Sequence, residues 1–418
     1  MIFNRQSYLQ KLISAEGNGM IKIVTGIRRC GKSFLLFNIF RQHLREQGVA
    51  DDHVIALALD DRHNKKLLDP DRLLDYIDAH VVQDGETNYV ILDEVQMVKE
   101  FTSVLLSLIH MPHVEAYVSG SNSRFLSKDV ATEFRGRGWE IRVHPLSFAE
   151  YYEAVGGDKS EAIRDYYNYG GLPDVVLQPD DASKEAYLKE LLTTIYLKDI
   201  VERNRLHNAD GLEQTMRVIA SGMGSTTNIN RIANTFRSAE KLSVSHHTIQ
   251  RYLTCLQDAF FISEALRYDI KGRRYIGAEN KYYFEDPGLR NALIGFRQVE
   301  YTHMMENVLY NELCARGFSV DVGLVETREL NEQGQFIRKN LEVDFVVNRG
   351  SQRLYIQSAF MLPNKEKIDQ EQRPLLRIDD AFRKIIISGE HSKVHYNDDG
   401  ICVMGLFEFL LNPSNLLE

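Results

Sequence analysis

Short apolar runs rich in β-branched residues alternate with segments of helical spacing over the first 150 positions, and this alternation predicts an α/β arrangement. The run MIKIVTG (20–26) reads as a buried strand and leads into a loop. The loop gives way to SFLLFNIFRQHLREQ (33–47), whose apolar residues recur at helical spacing. NYVILDEVQ (88–96) holds a second apolar strand, and EAYVSGSNSRFLS (115–127) holds a third that ends in small polar residues. Beyond 150 the pattern turns helical. HPLSFAEYYEAV begins a helix after Pro145, YYNYGGLPDVVLQ (166–178) contains a Gly-Gly-Leu-Pro turn, and 184–206 is strongly helical. NINRIANTFR and the stretch from Ser245 follow as two short helices, the second with Ile249, Leu253 and Leu256 on one face. LRYDI, KGRRY and KYYFED then read as three short strands. The chain closes on a helix running into a strand (300–323) and on two strands joined by a glycine turn (340–360).

With 418 residues the chain needs more than one core. Hydrophobic residues at 44% and charged residues at 26% fit a soluble globular protein. No run of about 18 apolar residues is present, so no membrane span is predicted. Cys30, Cys255, Cys314 and Cys402 show neither metal-ligand nor paired spacing, and the N-terminal residues lack the pattern of a signal peptide; a reducing, cytoplasmic setting is expected. The net charge of −9 argues against constitutive binding to nucleic acid, so any such contact must come from a local basic face.

Gly26-x-x-x-x-Gly31-Lys32-Ser33 falls between a strand and a helix, the context that a phosphate-binding P-loop requires. Its glycines let backbone N–H groups curl around phosphates, and the helix N-terminus adds partial positive charge. The expected nucleotide cradle is Gly26, Ile27, Arg28, Arg29, Cys30, Gly31, Lys32, Ser33 and Phe34, with Lys32 at the β- and γ-phosphates of ATP and Ser33 on Mg²⁺. Asp93, at the end of the second strand, is placed to hold Mg²⁺ through water, and Glu94 to polarise the attacking water. Ser121 or Asn122 is expected beside Asp93 near the γ-phosphate; either serves equally well as a helix N-cap. Arg28 and Arg29 occupy loop positions open either to phosphate or to solvent and a neighbouring subunit.

These segments, with FRGRGWEIRVHPLSFAEYY (134–152), resemble the AAA+ ATPase superfamily, in its bacterial and archaeal branch carrying a C-terminal domain of unknown function. The resemblance implies a three-layer P-loop sandwich over 1–145 followed by a helical lid over 146–210. It also implies a homo-oligomeric ring, a hexamer favoured, in which Arg137 (or Arg135) reaches a neighbour's γ-phosphate.

Residues 211–295 read as a winged helix-turn-helix, with Ser245, His246, His247, Thr248, Gln250 and Arg251 early on the second helix. The wing candidates are Lys271, Arg273, Arg274 and Lys281. His247, Arg251, Arg273 and Arg274 are the DNA contacts this predicts; a protein-docking module is the other use of such a fold. Residues 296–418 are similar to a restriction-endonuclease core, with Glu306, Asp344 and Gln357-Ser358-Ala359 at the matching positions. Ala359 stands where the water-activating lysine belongs, so no cutting is expected. Taken together, the expectation is a Mg²⁺-dependent ATPase that remodels or moves on DNA. The alternative is an ATP-dependent switch or scaffold for protein partners.

Overall fold

Five parallel strands order the first part of the computed structural model, which describes residues 3–121, 134, 136–239, 244–297, 299–330, 335–390 and 392–416. They are β1 (Ile21–Thr25), β2 (Val54–Ala58), β3 (Asn88–Asp93), β4 (Val114–Ser119) and β5 (Gly138–Arg142), in the spatial order β2-β3-β4-β1-β5. Every residue of β1 and β3 is buried. Both faces of a parallel sheet are covered by its crossover helices, which is why these strands read as unbroken apolar runs. One face packs Ile21, Ile23, Ile55, Leu57, Val90 and Leu92 against Leu73, Ile77, Val104 and Leu105 from helices Pro70–His80 and Phe101–His110.

The chain divides into two compact units. The first comprises Met1–Pro145 with Leu172–Asp174 and Asp258–Phe260; the second comprises Leu146–Gly171, Val175–Gln257 and Phe261–Glu418. No described helix is long and apolar enough to cross a membrane.

The second unit carries an eight-stranded mixed sheet in the order β12-β13-β11-β10-β9-β8-β6-β7. Its strands are β6 (Ile262–Asp269), β7 (Arg274–Phe284), β8 (Ser319–Leu330), β9 (Phe336–Arg349), β10 (Gln352–Ala359), β11 (Arg383–Ser388), β12 (His395–Tyr396) and β13 (Cys402–Gly405). Helices Ile229–Ala239 and His246–Asp258 precede β6, as the apolar spacing predicts. The three short strands expected next are two long ones. Lys271 to Arg273 form the turn of a β6–β7 hairpin, where the Asp269 carboxylate accepts the Gly272 amide at 2.9 Å. This hairpin does not stand alone. β6 pairs in parallel with β8, so one sheet unites strands from both sides of position 296. The glycine turn between β9 and β10 falls where the sequence indicates, with Gly350 at φ +58°.

Candidate functional site

Gly26 of the P-loop is required by space as well as by rotation, and Gly31 by rotation. A Cβ on Gly26 (φ +140°) would lie 2.1 Å from the Val143 carbonyl oxygen, and Gly31 takes φ +98° just before the helix that starts at Lys32. Ile27 and Cys30 are fully buried, and the Cys30 thiol donates to Val143 O at 3.3 Å. Only the backbone of those two residues can face a ligand. The buried Lys32 ammonium donates to Gly26 O and Ile27 O, both at 3.0 Å, and so arches over the loop. Ser33 and Phe34 are exposed at the loop's rim. The two loop arginines part company: Arg28 is half-buried and its Nε lies 3.4 Å from Ser121 Oγ, whereas exposed Arg29 (φ +64°) turns out towards Asp174 at 3.7 Å.

β4 lies between β1 and β3, so the loop after β1 and the carboxylates ending β3 share one edge of the sheet. Asp93 is 4% exposed, and its Oδ1 accepts the hydroxyl of Ser119. Ser119 Oγ in turn accepts the Glu94 amide at 3.2 Å. Glu94 adopts a left-handed conformation (φ +51°), and its carboxylate accepts from Gln96 Nε2 and from Ser121 Oγ at 3.3 Å. The sequence reading put Ser121 or Asn122 beside Asp93. The residue at Asp93 is Ser119, and Ser121 reaches Glu94 instead. Parallel register, with Leu92 opposite Val118, would have found Ser119. Asn122 and Arg135 lie outside the described residues. Among the described residues, neither Asp93 nor Glu94 has an ion-pair partner. One neutral hydroxyl cannot compensate a buried carboxylate, which leaves Asp93 fit to meet a cation. Ser33 and Asp93 suit Mg²⁺, which takes few protein ligands and keeps water and phosphate oxygens for the rest.

Arg137 sits at the other end of the sheet. Its carbonyl accepts the amide of Ile21, the first residue of β1, at 2.9 Å, and its side chain is exposed. The length of β1, about 16 Å at about 3.3 Å per residue, separates it from its own P-loop.

A basic concavity went unnoticed in the sequence. Arg62, His63, Lys65, Lys66, Arg72 and Lys99 line a space of ≈ 640 Å³, with Leu68 and Asp69 as its other walls. Asp61 holds the His63 ring at 2.8 Å. Among the described residues, Arg62, Lys65, Lys66, Arg72 and Lys99 make no ion pair, and all are exposed. The segment follows β2, and Lys99 follows β3, where its amide bonds to Leu68 O at 3.2 Å. The run DRHNKK was the available signal, masked by the acidic residues around it.

In the second unit, Glu306 from helix Tyr301–Ala315, Asp344 from β9 and Gln357 from β10 do converge, but inside the fold. All three are under 10% exposed. Ser358 N donates to Asp344 Oδ2 at 2.8 Å, and Gln357 Oε1 lies 3.4 Å from Asp344 N. Burial and the neighbouring Glu306 push the Asp344 carboxyl well above the usual carboxylate range. Lys281, expected on an exposed wing, is 2% exposed and donates to Glu306 Oε1 at 3.0 Å. The strand's alternation turns it inward together with Tyr283, whose hydroxyl donates to the same Glu306 oxygen at 2.6 Å. Ala359 is a core methyl packed with Val343, Val346, Tyr355 and Leu375.

The proposed DNA contacts lie on separate elements. His247 is exposed in the first turn of helix His246–Asp258, and Arg251 donates to Asn204 O at 2.9 Å. Arg273 is exposed in the β6–β7 turn, and Arg274 lies 3.5 Å from Asp269.

Against known families, residues 18–152 match an AAA domain, and residues 160–300 match a domain of unknown function, DUF8612. An uncharacterized protein of Haemophilus influenzae is 32% identical over 98% of this chain and 99% of its own length. The chain belongs to that protein's family. Another uncharacterized protein, from Methanocaldococcus jannaschii, is 26% identical over 91% of this chain and 83% of its own. Among solved structures, the Walker-type ATPase of Pyrococcus abyssi aligns with 70% of this chain and 96% of its own, at 17% identity and a TM-score of 0.48. The ORC1 protein of Aeropyrum pernix, in complex with DNA, aligns with 71% of this chain and 93% of its own, at 13% identity and a TM-score of 0.29. This chain thus carries an AAA domain, and its P-loop and its Asp93-Glu94 strand both fall within the matched residues.

Proposed function

We propose that this AAA domain hydrolyses ATP and couples the hydrolysis to work on DNA. The observation that carries the reading is the shared sheet edge: a glycine cradle with its lysine, one strand away from two carboxylates that make no ion pair among the described residues. Lys32 swings from the Gly26 and Ile27 carbonyls onto the β- and γ-phosphates, exchanging weak acceptors for anionic ones. Ser33 and Asp93 would hold Mg²⁺, which supplies charge neutralisation at the phosphate oxygens. Glu94 takes the proton of the attacking water, and Ser121 and Gln96 hold its carboxylate until water is in place. Because Arg137 cannot reach its own P-loop, its transition-state role is in trans, within a ring of subunits.

The DNA reading rests on the basic concavity at Arg62–Lys66, Arg72 and Lys99; the exposed His247 and Arg273 of residues 211–295 are a separate candidate contact. Five cations without ion-pair partners among the described residues, on a chain of net charge −9, suit a phosphate backbone. Residues 296–418 would then be a nuclease-like fold kept for binding or assembly. Two measurements test the proposal. Lys32→Ala should abolish binding of a fluorescent ATP analogue. Binding of labelled duplex DNA should weaken steeply with salt, with a slope reduced by about 2 when Lys65 and Lys66 both become Ala. A salt slope unchanged by that pair removes the DNA role from this surface and favours the protein-switch alternative.

A further inference from the structure

We propose that Lys281 is the resident cation of the centre formed by buried Glu306 and Asp344 with half-buried Glu342, standing where a nuclease-like core would hold a divalent metal ion. The proposal concerns the second unit and does not depend on the ATPase reading.

A metal ion is what the order Glu306, Asp344, Gln357 would imply, so the test is whether these residues fit one. They do not. The Lys281 ammonium lies 3.0 Å from Glu306 Oε1 and 2.7 Å from Glu342 Oε1, at 2% exposure. The Tyr283 hydroxyl adds a bond to the same Glu306 oxygen at 2.6 Å. Asp344 Oδ2 is engaged by the Ser358 amide at 2.8 Å, and the Gln357 side-chain amide donates to Glu371 at 3.2 Å. A hard cation such as Mg²⁺ wants near-octahedral oxygens at about 2.0–2.1 Å and several waters. Here a charge of the same sign already sits among the oxygens, and Lys281, Glu306 and Asp344 are all under 10% exposed. Among the described residues, no group of three or more His, Cys, Asp or Glu is arranged to hold a metal ion.

The source of the lysine is informative. It arrives from β7, in the segment that matches the domain of unknown function, and not from the position after Ser358, where Ala359 packs in the core. The β6–β7 hairpin is thereby fastened by charge to helix Tyr301–Ala315 and to β9. A metal would bind these carboxylates only if that fastening were undone. The centre is a cross-brace and cuts nothing.

The experiment titrates the full, nucleotide-free chain with Mn²⁺ and follows the ion by electron paramagnetic resonance. The wild type should show no site that Glu306→Gln removes, and no Mn²⁺-dependent nicking of plasmid. Lys281→Ala should gain one site per chain, weakened at least tenfold when Glu306→Gln is added. If Lys281→Ala fails to fold, the comparison of wild type with Glu306→Gln still decides. A wild-type site lost in Glu306→Gln, or a folded Lys281→Ala that gains none, overturns the proposal.

Discussion

Two groups of carboxylates in this chain have opposite fates. At the edge of the first sheet, Asp93 and Glu94 are held by hydroxyls and an amide, and among the described residues neither makes an ion pair. In the second unit, Glu306 and Glu342 close around Lys281. The first arrangement leaves charge uncompensated and so stores affinity for something brought from outside. The second spends its charge on the fold. An acidic motif therefore says little about metal chemistry until the location of the nearest ammonium is known.

The largest expected effect comes from emptying the filled centre. Lys281→Met leaves Glu306 buried without its partner and should cost about 3–5 kcal/mol in urea unfolding of the second unit, while replacing both residues with apolar ones should return most of it. A cost under about 1 kcal/mol would erase the contrast between the two sites, because exposed pairs are worth that much. Asp93→Asn, at the open edge, should leave stability within about 1 kcal/mol of wild type while weakening Mg²⁺-nucleotide binding. A smaller effect concerns another buried charge that serves the fold. Asp286 caps helix Pro287–Leu293 and accepts the amides of Gly171 and Leu289 at 2.8 and 3.1 Å, so Asp286→Ala should cost about 1–3 kcal/mol.

Burial pushes the Asp286 carboxyl up to about 6 against the donated amides. The folded chain then holds a proton that the unfolded chain has already lost. Its contribution to stability is present at low pH and is lost as pH rises to about 6. Asp286→Asn should flatten that part of the profile of unfolding midpoint against pH. The smallest effect is at His53, which precedes β2 at the opposite end of the first sheet from Asp93. Hydrogen bonds to Asp52 and Asp84 hold the His53 imidazolium above its usual pKa. That contribution is present below the unfolded value and fades as pH rises through the folded one. His53→Asn should remove this slope, which lies above the ordinary histidine value of about 6.5.

The P-loop and the Asp93-Glu94 strand were legible because their chemistry is local: glycines at fixed spacing, then carboxylates at the end of an apolar run. Ser119 needed strand register, since Ser119, Ser121 and Asn122 crowd that strand's end and only the register that sets Val118 opposite Leu92 decides which one faces Asp93. Lys281 was legible as a charge but not as a buried one. Nothing within KGRRYIGAENK indicates that its last residue turns inward under a helix 20 positions later in the chain. The hairpin's place in the sheet was lost for the same reason: the pairing of β6 with β8 is long-range and leaves no local mark. Arg62 to Lys66 stayed hidden because residues 60–71 set four aspartates against their three cations, although only Asp69 shares the concavity's wall.

The central claim is that the open carboxylates do the chemistry. Steady-state ATP hydrolysis by Glu94→Gln, measured beside binding of a slowly hydrolysed ATP analogue, tests it most directly. The account predicts retained binding with turnover reduced by about 10²-fold or more. Turnover at the wild-type rate with binding intact would contradict it.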